Sequence, residues 1–355
     1  MTIMKKLMFL TLTTLLLVSC SNDDDNSGDP VTPAGAYEKG ILITNEGPFG
    51  NGSGTVSFIS EDYSVLENNI FKTVNNSDLG NIVQSMGFLD EKAYIVVNNS
   101  QKIEIANRYT FERIDTIANG LNNPRYFVAK DGARAYVSNW GDPNDNTDDF
   151  IAVINLVNNS VSTTIPVDFG AERMVYNNNK LYVAHQGGYG QNNLISVIST
   201  SNNTVEKTIT VGDVPNSMVI ADDMLYVLCG GNPDYTGNET AGSMVTIDLA
   251  NDEVVETNTL GDTQHPSSLT IDGTNLYYSL DGSVYETNTV TTTLPGTSVI
   301  NGFFYTIEAH NGMLYATDAG DYASDGTLKV YDLSTNQMTQ DFTVGIIPGG
   351  IYFND

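Results

Sequence analysis

Residues 181–212, LYVAHQGGYGQNNLISVISTSNNTVEKTITVG, contain the pattern that decides the fold. Three alternating apolar runs are separated by a glycine- and asparagine-rich stretch and by a short turn at residues 201–203. β-Branched residues, period-two alternation and turn clusters of this kind predict three short antiparallel strands. A further alternating run at residues 173–177 precedes the block. One unit of the chain is therefore expected to supply four strands.

The unit repeats along the chain. Its most recognisable part is an apolar residue, a tyrosine and a third, mostly apolar residue. This motif recurs at residues 93–95, 135–137, 181–183, 225–227, 276–278 and 314–316, with a degenerate first copy at 41–43. Four short antiparallel strands in about 40–50 residues are typical of one β-propeller blade. No segment shows a convincing helical period, so we expect an all-β chain.

The two ends of the repeat region determine the number of blades. The first copy, at residues 40–45, lacks the strand that precedes the motif elsewhere, whereas the chain ends on a spare copy of that strand at residues 349–354. The spare strand is expected to pair with residues 40–45 and to close a ring of seven four-stranded antiparallel blades, which leaves no open ring end. A sandwich or a solenoid does not explain this complementarity.

Residues 1–19 predict a cleaved lipoprotein signal peptide. Lys5 and Lys6 precede an apolar run at residues 7–18, which is too short for a comfortable membrane span. Residues 17–20, LVSC, resemble the bacterial lipobox, in which the cysteine receives acyl chains such as palmitate. The alternative is an ordinary secretory signal that contains a cysteine. We expect Cys20 to be lipidated and to hold the mature protein on a membrane.

Residues 20–38 predict a flexible acidic tether, and residues 39–355 form the predicted propeller. The tether is rich in Asp, Asn, Ser, Gly and Pro, which cannot bury enough apolar surface to fold. Residues 21–25, SNDDD, resemble an acidic signal that exports lipoproteins to the outer surface of the outer membrane; a solvated linker is the alternative. The net charge of −28 disfavours nucleic acid and anionic lipid as partners. We expect a monomeric propeller that faces the cell exterior.

The connections between strands predict which face binds ligands. We name the four strands of each blade A to D in chain order, with A nearest the axis. The long B–C loops then share one face with the D–A connections, and long loops on a rigid scaffold commonly carry function. Five B–C loops contain an aromatic residue that would contact a ligand or pack its own blade. The candidates from these loops are Phe49, Trp140, Tyr189, Tyr235 and Tyr322, together with His185 and Gln186.

The D–A connections are expected to form a second layer of side chains, nearer the axis. Its members are Gln84, Arg125, Arg173, Asn216, Ser268, Tyr305 and Gly349. Arg125 and Arg173 stand out because the chain has 15 basic and 43 acidic residues. They would orient an anionic or amide-rich ligand, or they would pair with acids such as Glu172 or Asp168. Arg125, Arg173 and Asn216 are therefore also candidate ligand contacts.

Metal binding has only weak support in the sequence. Asp142 and Asp145 in one loop, and Asp318 and Asp321 in another, are weak calcium candidates. The first loop departs from the EF-hand pattern, since Thr147 stands where glycine is needed and no glutamate closes the loop. No cofactor is expected to be required.

Catalysis has little support in local motifs. The three histidines lack metal-ligand spacing, and the chain contains no Walker loop, nucleophile elbow or His-Glu-x-x-His motif. We expect a protein that is not an enzyme. A propeller enzyme nevertheless remains a third possibility, because a propeller can assemble a catalytic site from several blades.

The blade pattern resembles that of the YncE-like seven-bladed propellers. The resemblance is carried by LYV at residues 181–183, ISVI at 195–198 and TITVG at 208–212, followed by Pro215. A narrower resemblance is to surface lipoproteins with a domain of unknown function, near the cobalamin-capture propellers that lie over a TonB-dependent transporter. It is carried by NPRYF at 123–127, YVSNWG at 136–141, AHQGG at 184–188, GQNN at 190–193 and GNETAG at 237–242.

The resemblance implies a function as well as a fold. The chain would bind a small molecule, such as a corrinoid or another scarce nutrient, on the long-loop face. It would then pass this ligand to a TonB-dependent transporter in the outer membrane. Individual cobalamin contacts do not match positions in this sequence. A surface module for protein interaction or adhesion is the alternative.

Overall fold

The computed structural model describes residues 35–142, 144–291 and 293–355. Cys20, the signal peptide and residues 21–25 lie outside these described residues, so lipidation and export remain predictions. No helix in the described ranges is long and apolar enough to cross a membrane.

The described chain consists almost entirely of short β-strands. In chain order they are β1 (Gly40–Asn45), β2 (Thr55–Ser60), β3 (Leu66–Glu67), β4 (Val83–Leu89), β5 (Lys92–Val97), β6 (Lys102–Asn107), β7 (Arg113–Ile117), β8 (Pro124–Asp131), β9 (Arg134–Asn139), β10 (Phe150–Asn155), β11 (Ser160–Pro166), β12 (Ala171–Asn177), β13 (Lys180–His185), β14 (Leu194–Ser199), β15 (Thr204–Thr210), β16 (Pro215–Ala221), β17 (Met224–Cys229), β18 (Ser243–Asp248), β19 (Glu253–Thr259), β20 (Ser267–Asp272), β21 (Asn275–Leu280), β22 (Ser283–Asn288), β23 (Ile300–Asn301), β24 (Thr306–His310), β25 (Met313–Asp318), β26 (Asp325–Asp332), β27 (Gln337–Ile346) and β28 (Pro348–Asn354).

These strands form seven four-stranded antiparallel sheets, which are the blades of a β-propeller. Blades 2 to 7 each use four consecutive strands, beginning with β4–β7 and ending with β24–β27. Blade 1 has the order β28, β1, β2, β3, so its innermost strand comes from the end of the chain. The prediction of a seven-bladed ring closed by the C-terminal strand is therefore confirmed.

The tyrosine of the repeated motif joins each of three blades to the next. Tyr136 and Tyr182 are buried, and their hydroxyls donate hydrogen bonds to Asn203 (3.2 Å) and Asp252 (2.6 Å). The Tyr226 hydroxyl likewise donates to a backbone carbonyl of the following blade. Each acceptor lies in the turn between the C and D strands of that blade. The ring fills apolar space between two sheets, while the hydroxyl finds the partner that a buried polar group requires.

The closing strand is fixed by more than its ladder with β1. Asn354 is fully buried; its amide donates to the carbonyls of Tyr37 and Arg108, and its side-chain oxygen accepts from the Arg108 guanidinium. The Tyr352 hydroxyl accepts a hydrogen bond of 2.8 Å from the backbone N–H of Met86 in blade 2. The last residues therefore hold blade 1 against blade 2 and against the segment that precedes β1.

The outer edge of blade 1 differs from a regular blade. β3 has only two residues and is followed by a short helix, α1 (Ile70–Asn75). Ile70 and Phe71 of this helix are fully buried, and the helix contacts β2, so it covers the edge that a longer fourth strand covers in every other blade except blade 6, where β23 is also two residues long. Six residues are too few to produce a periodic helical signal in the sequence. A short 3₁₀ helix (Asp234–Thr236) also lies in a B–C loop.

Shortening one buried side chain of the closing strand tests the role of ring closure. Ile351 is 8% exposed and packs between blades 7 and 1, whereas Ile114 on β7 is 48% exposed. Ile351→Ala is expected to lower the free energy of unfolding by about 2–4 kcal/mol, because it removes buried methylene and methyl groups. The matched control Ile114→Ala should cost well under half of that. Equal losses of unfolding free energy in the two variants, measured by chemical denaturation, would show that packing at the ring junction does not add to stability.

Candidate functional site

A funnel opens on the face that carries the B–C and D–A connections. Its volume is about 450 Å³, and it lies at the centre of the ring of inner strands. All seven side chains or backbone positions of the D–A layer line it: Gln84, Arg125, Arg173, Asn216, Ser268, Tyr305 and Gly349. The inner strands converge on the axis, so one residue from each blade reaches the same cavity.

Three of the five loop aromatics contribute to the wall of the funnel. Phe49 and Tyr189 are 80% and 76% exposed and line it together with Trp140. The rings of Trp140 and Tyr189 pack edge to face with their centres 5.9 Å apart. The guanidinium carbon of Arg125 lies 4.0 Å from the Trp140 ring centre, which is a cation–π distance. Trp140 and Tyr189 are therefore in contact at the funnel, and we refer to these two residues together with Phe49, which lines the funnel from blade 1, as the aromatic wall.

The other two loop aromatics lie away from this wall. The Tyr322 ring packs edge to face against Tyr305, with the centres 5.9 Å apart, and is 58% exposed. Because Tyr305 lines the funnel, Tyr322 is one contact removed from it. Tyr235 lies on the 3₁₀ helix, is 83% exposed and does not line the funnel. The five loop aromatics are thus divided between the funnel and the surrounding face.

His185 and Gln186, which are adjacent in sequence, occupy different environments. Gln186 lines the funnel. His185 ends β13 and is fully buried, and its Nε2 shares a hydrogen bond of 2.8 Å with the Ser196 hydroxyl of the same blade. Burial lowers the pKa of His185 to about 4, so the imidazole is neutral near pH 7. Its side chain packs within the blade and does not line the funnel.

Arg125 forms an ion pair with Glu172, which is one of the two arrangements that the sequence left open. Its Nη2 lies 2.9 Å from one carboxylate oxygen, and its Nε lies 3.1 and 3.2 Å from the two oxygens. The side chains are 16% and 4% exposed. This buried pair neutralises Arg125 and holds it against Trp140. Arg125 therefore supports the aromatic wall.

Several residues that line the funnel were not predicted from the sequence. Glu46 accepts a 2.8 Å hydrogen bond from the Tyr305 hydroxyl, and burial raises the pKa of its carboxyl. It was missed because it lies in the degenerate first blade. Asn98 and Asn99 also line the funnel, from a B–C turn that is too short to attract attention. They would have been identified if the short B–C turns had been considered as well as the long B–C loops.

The four aspartates proposed for calcium have protein partners. Asp142, Asp145 and Asp321 accept backbone hydrogen bonds from residues two or three positions further along their own loops. Asp318 forms an ion pair of 3.0 Å with Lys329. Over the residues that the structure describes, no group of three or more His, Cys, Asp or Glu side chains could hold a metal ion. Calcium at these loops stays a weak prediction.

The fold and the funnel define a seven-bladed propeller with a ligand-sized cavity on one face. The chain belongs to the family described as "Domain of unknown function (DUF5074)", whose model matches residues 39–317. No curated protein matches the sequence. The family assignment confirms that the chain carries a domain of unknown function, while the YncE-like lipoprotein branch and the link to cobalamin-capture propellers stay proposals.

Several solved structures share the fold at low sequence identity. A functionally unknown protein from Desulfotomaculum acetoxidans DSM 771 is 12% identical, with a TM-score of 0.66 and coverage of 89% of this chain and 98% of that one. A protein from Bacteroides uniformis ATCC 8492, provisionally assigned as a 6-phosphogluconolactonase, is 12% identical, with a TM-score of 0.63 and coverage of 89% and 99%. BamB from Moraxella catarrhalis is 12% identical, with a TM-score of 0.52 and coverage of 79% and 80%. At this identity the likeness shows the fold alone.

Breaking the buried ion pair should be costly. Glu172→Gln leaves Arg125 as an uncompensated charge, and removing one partner of a buried pair typically costs about 3–5 kcal/mol. The control Asp78→Asn breaks the Lys72–Asp78 pair, whose side chains are both 53% exposed, and should cost less than about 1 kcal/mol. Denaturant unfolding of both variants measures the difference. Similar small losses in the two would mean that Arg125 does not depend on Glu172.

Neutral His185 makes the fold sensitive to acid. Its pKa of about 4 is below the value of 6.5 in the unfolded chain, so its contribution is complete above pH 6.5 and is lost as the pH falls towards 4. At pH 5.0 the loss attributable to this residue is about 2 kcal/mol. His185→Gln should therefore lose less stability than the native protein between pH 7.5 and pH 5.0 in urea unfolding. Parallel losses would contradict the assignment.

Proposed function

We propose that this chain is a non-catalytic surface lipoprotein. In this proposal it captures a small molecule in the funnel and passes it to a TonB-dependent transporter in the outer membrane. The observation that carries the proposal is the aromatic wall, in which Trp140 is held between Arg125 and Tyr189 beside an open cavity. A volume of about 450 Å³ falls within the range of about 300–1,000 Å³ that is usual for ligand pockets.

The chemistry of the lining supports a flat ligand that carries polar groups. The aromatic wall offers stacking surfaces, each aromatic pair contributing about 0.5–1.5 kcal/mol beyond area burial. Amide side chains of Asn98, Asn99, Asn123, Gln186 and Asn216 supply hydrogen-bond donors and acceptors around it. A corrinoid has a flat ring edged with amides, and it would insert one edge into the funnel and lie over Phe49 and Tyr189. Smaller nutrients with a ring would enter completely.

Exposed aromatics outside the funnel favour an additional macromolecular contact. Tyr235 and Phe303 are 83% and 81% exposed, and both belong to connections on the funnel face. Exposed apolar groups clustered on one face commonly mark an interaction surface. They suit docking of a transporter onto the loaded propeller. They suit equally an adhesion or interaction module, which is the second candidate function.

Catalysis is the third candidate, and the funnel does hold carboxylates. Glu46 and Glu172 both line it. Glu172 is bound by Arg125, and Glu46 accepts a hydrogen bond from Tyr305. In our proposal these contacts hold in place the side chains that line a binding site.

Titration of the full-length protein tests the capture function. Trp140 is the only tryptophan, so its fluorescence reports directly on the funnel. Corrinoids, haem, siderophores and glycans are the compounds to add, and at least one class is expected to change the emission and to raise the melting temperature. Tyr189→Ala should weaken binding about 3- to 10-fold through lost stacking.

Tyr235→Ala is the matched control, since Tyr235 is equally exposed but lies outside the funnel. It should leave small-molecule affinity unchanged. No response of Trp140 to any class would count against capture, and a protein partner retained without small-molecule stabilisation would favour the interaction module.

A further inference from the structure

Arg173 lies at the floor of the funnel. A second cavity of about 430 Å³ continues along the central channel below it. Four residues line both cavities and so form the boundary between them: Gln84, Tyr126, Arg173 and Gly349. The guanidinium carbon of Arg173 is 4.8 Å from the ring centre of Tyr126, which supports one face of the guanidinium. The N–H groups of the Arg173 guanidinium could therefore donate hydrogen bonds to a ligand group that reaches the floor of the funnel.

Arg173 differs from Arg125 because no acidic side chain of the described residues forms an ion pair or a hydrogen bond with it; Glu308 and Glu172 attract it only at longer range. Among residues 35–142, 144–291 and 293–355, no carboxylate oxygen lies within 4.0 Å of its guanidinium nitrogens, and these nitrogens donate no hydrogen bond. Glu172 is already bound to Arg125. Glu308, below the floor, accepts a 2.8 Å hydrogen bond from Thr270, and burial raises its pKa to about 7. Near neutral pH it therefore supplies only part of a counter-charge.

A guanidinium removed from bulk water normally has a counter-ion or hydrogen-bond acceptors, because the desolvated charge is otherwise costly. We propose that Arg173 is the anion-recognising residue of the funnel and that the ligand is an organic monocarboxylate with a flat ring. The carboxylate would accept two parallel hydrogen bonds from the guanidinium fork, while the ring lies along the aromatic wall. This inference rests on the proposed capture function and narrows its ligand class.

The charges around the floor favour one negative charge on the ligand. Arg173 is the one arginine of the funnel without an acidic partner in the described residues, whereas Glu46 and Glu172 line the same cavity. A doubly charged phosphate ester would be repelled by these carboxylates and by a chain with a net charge of −28. A neutral amide would leave the guanidinium without a counter-ion. A monocarboxylate satisfies Arg173 and adds no excess charge.

Matched acids, amides and phosphate esters test this inference on the full-length protein. Benzoate with benzamide and nicotinate with nicotinamide are two such pairs, and phenyl phosphate provides the dianion. The same comparison applies to every compound that perturbs Trp140. Calorimetry and thermal stabilisation should show binding of the acids and at least 10-fold weaker binding of the amides and the phosphate ester. Arg173→Gln should weaken binding of the acids about 10- to 100-fold.

Two further variants separate recognition from folding. Arg173→Lys keeps the charge but loses the planar fork, and it should weaken binding of the acids about 10-fold even if Arg173→Gln unfolds. Arg134→Gln, whose guanidinium contacts the backbone of Thr200 outside the funnel, should have no effect on binding. Equal affinity for acids and amides, or an Arg173→Lys variant that binds acids normally, would overturn the inference while leaving capture intact. If no compound, neutral or charged, binds to the protein, both this inference and the proposed capture function would be wrong.

Discussion

The pairing of β28 with β1 is the constraint on which the other features depend. An open ring of six and three-quarter blades would leave β1 without its inner neighbour and would free the edges of blades 1 and 7. Hydrogen bonds of Asn354 and Tyr352 tie blade 1 to blade 2, and Ile351 packs between blades 7 and 1. The inner strands then converge on one axis, and this convergence creates the funnel. A funnel whose lining comes from all seven blades can exist only in the closed ring.

Within the closed ring, the two arginines that line the funnel have different electrostatic environments. The charge of Arg125 is neutralised by Glu172, and its guanidinium packs on Trp140. Arg125 therefore holds the aromatic wall in place. In the next blade the position equivalent to Arg125 is occupied by Glu172 itself, and Arg173 lies one residue further along the strand, where no acid of the described residues forms an ion pair with it. A buried charge without a partner raises the free energy of the folded protein. The difference between the two arginines therefore indicates that Arg173, and not Arg125, is suited to bind an anionic group of a ligand. It distinguishes a structural cation from a cation suited to recognition.

The sequence predicted the fold almost completely, because the repeat, its tyrosine motif and the complementary chain ends all follow from local patterns. It also placed the D–A layer at the axis, since strand order alone determines which connections lie there. It was less informative about side-chain direction. His185 and Gln186 are neighbours with opposite orientations, and period-two alternation near a strand end decides which one reaches the funnel. Glu46 and the pairing of Arg125 with Glu172 depend on contacts between blades, which no local pattern encodes.

The same contacts make the funnel a pre-organised site. Trp140 is fixed by Arg125 and Tyr189, Glu46 is held by Tyr305, and the polar loop residues satisfy many of their own hydrogen bonds. A ligand that enters such a site loses less affinity to ordering of the protein than one that must organise flexible loops. Among the aromatic residues that line the funnel, Phe49 and Tyr189 are the most exposed, so in the proposed capture function an arriving ligand would meet them first. A rigid funnel beneath an exposed rim therefore suits the proposed capture function, in which a small molecule is bound tightly and still presented at an open face.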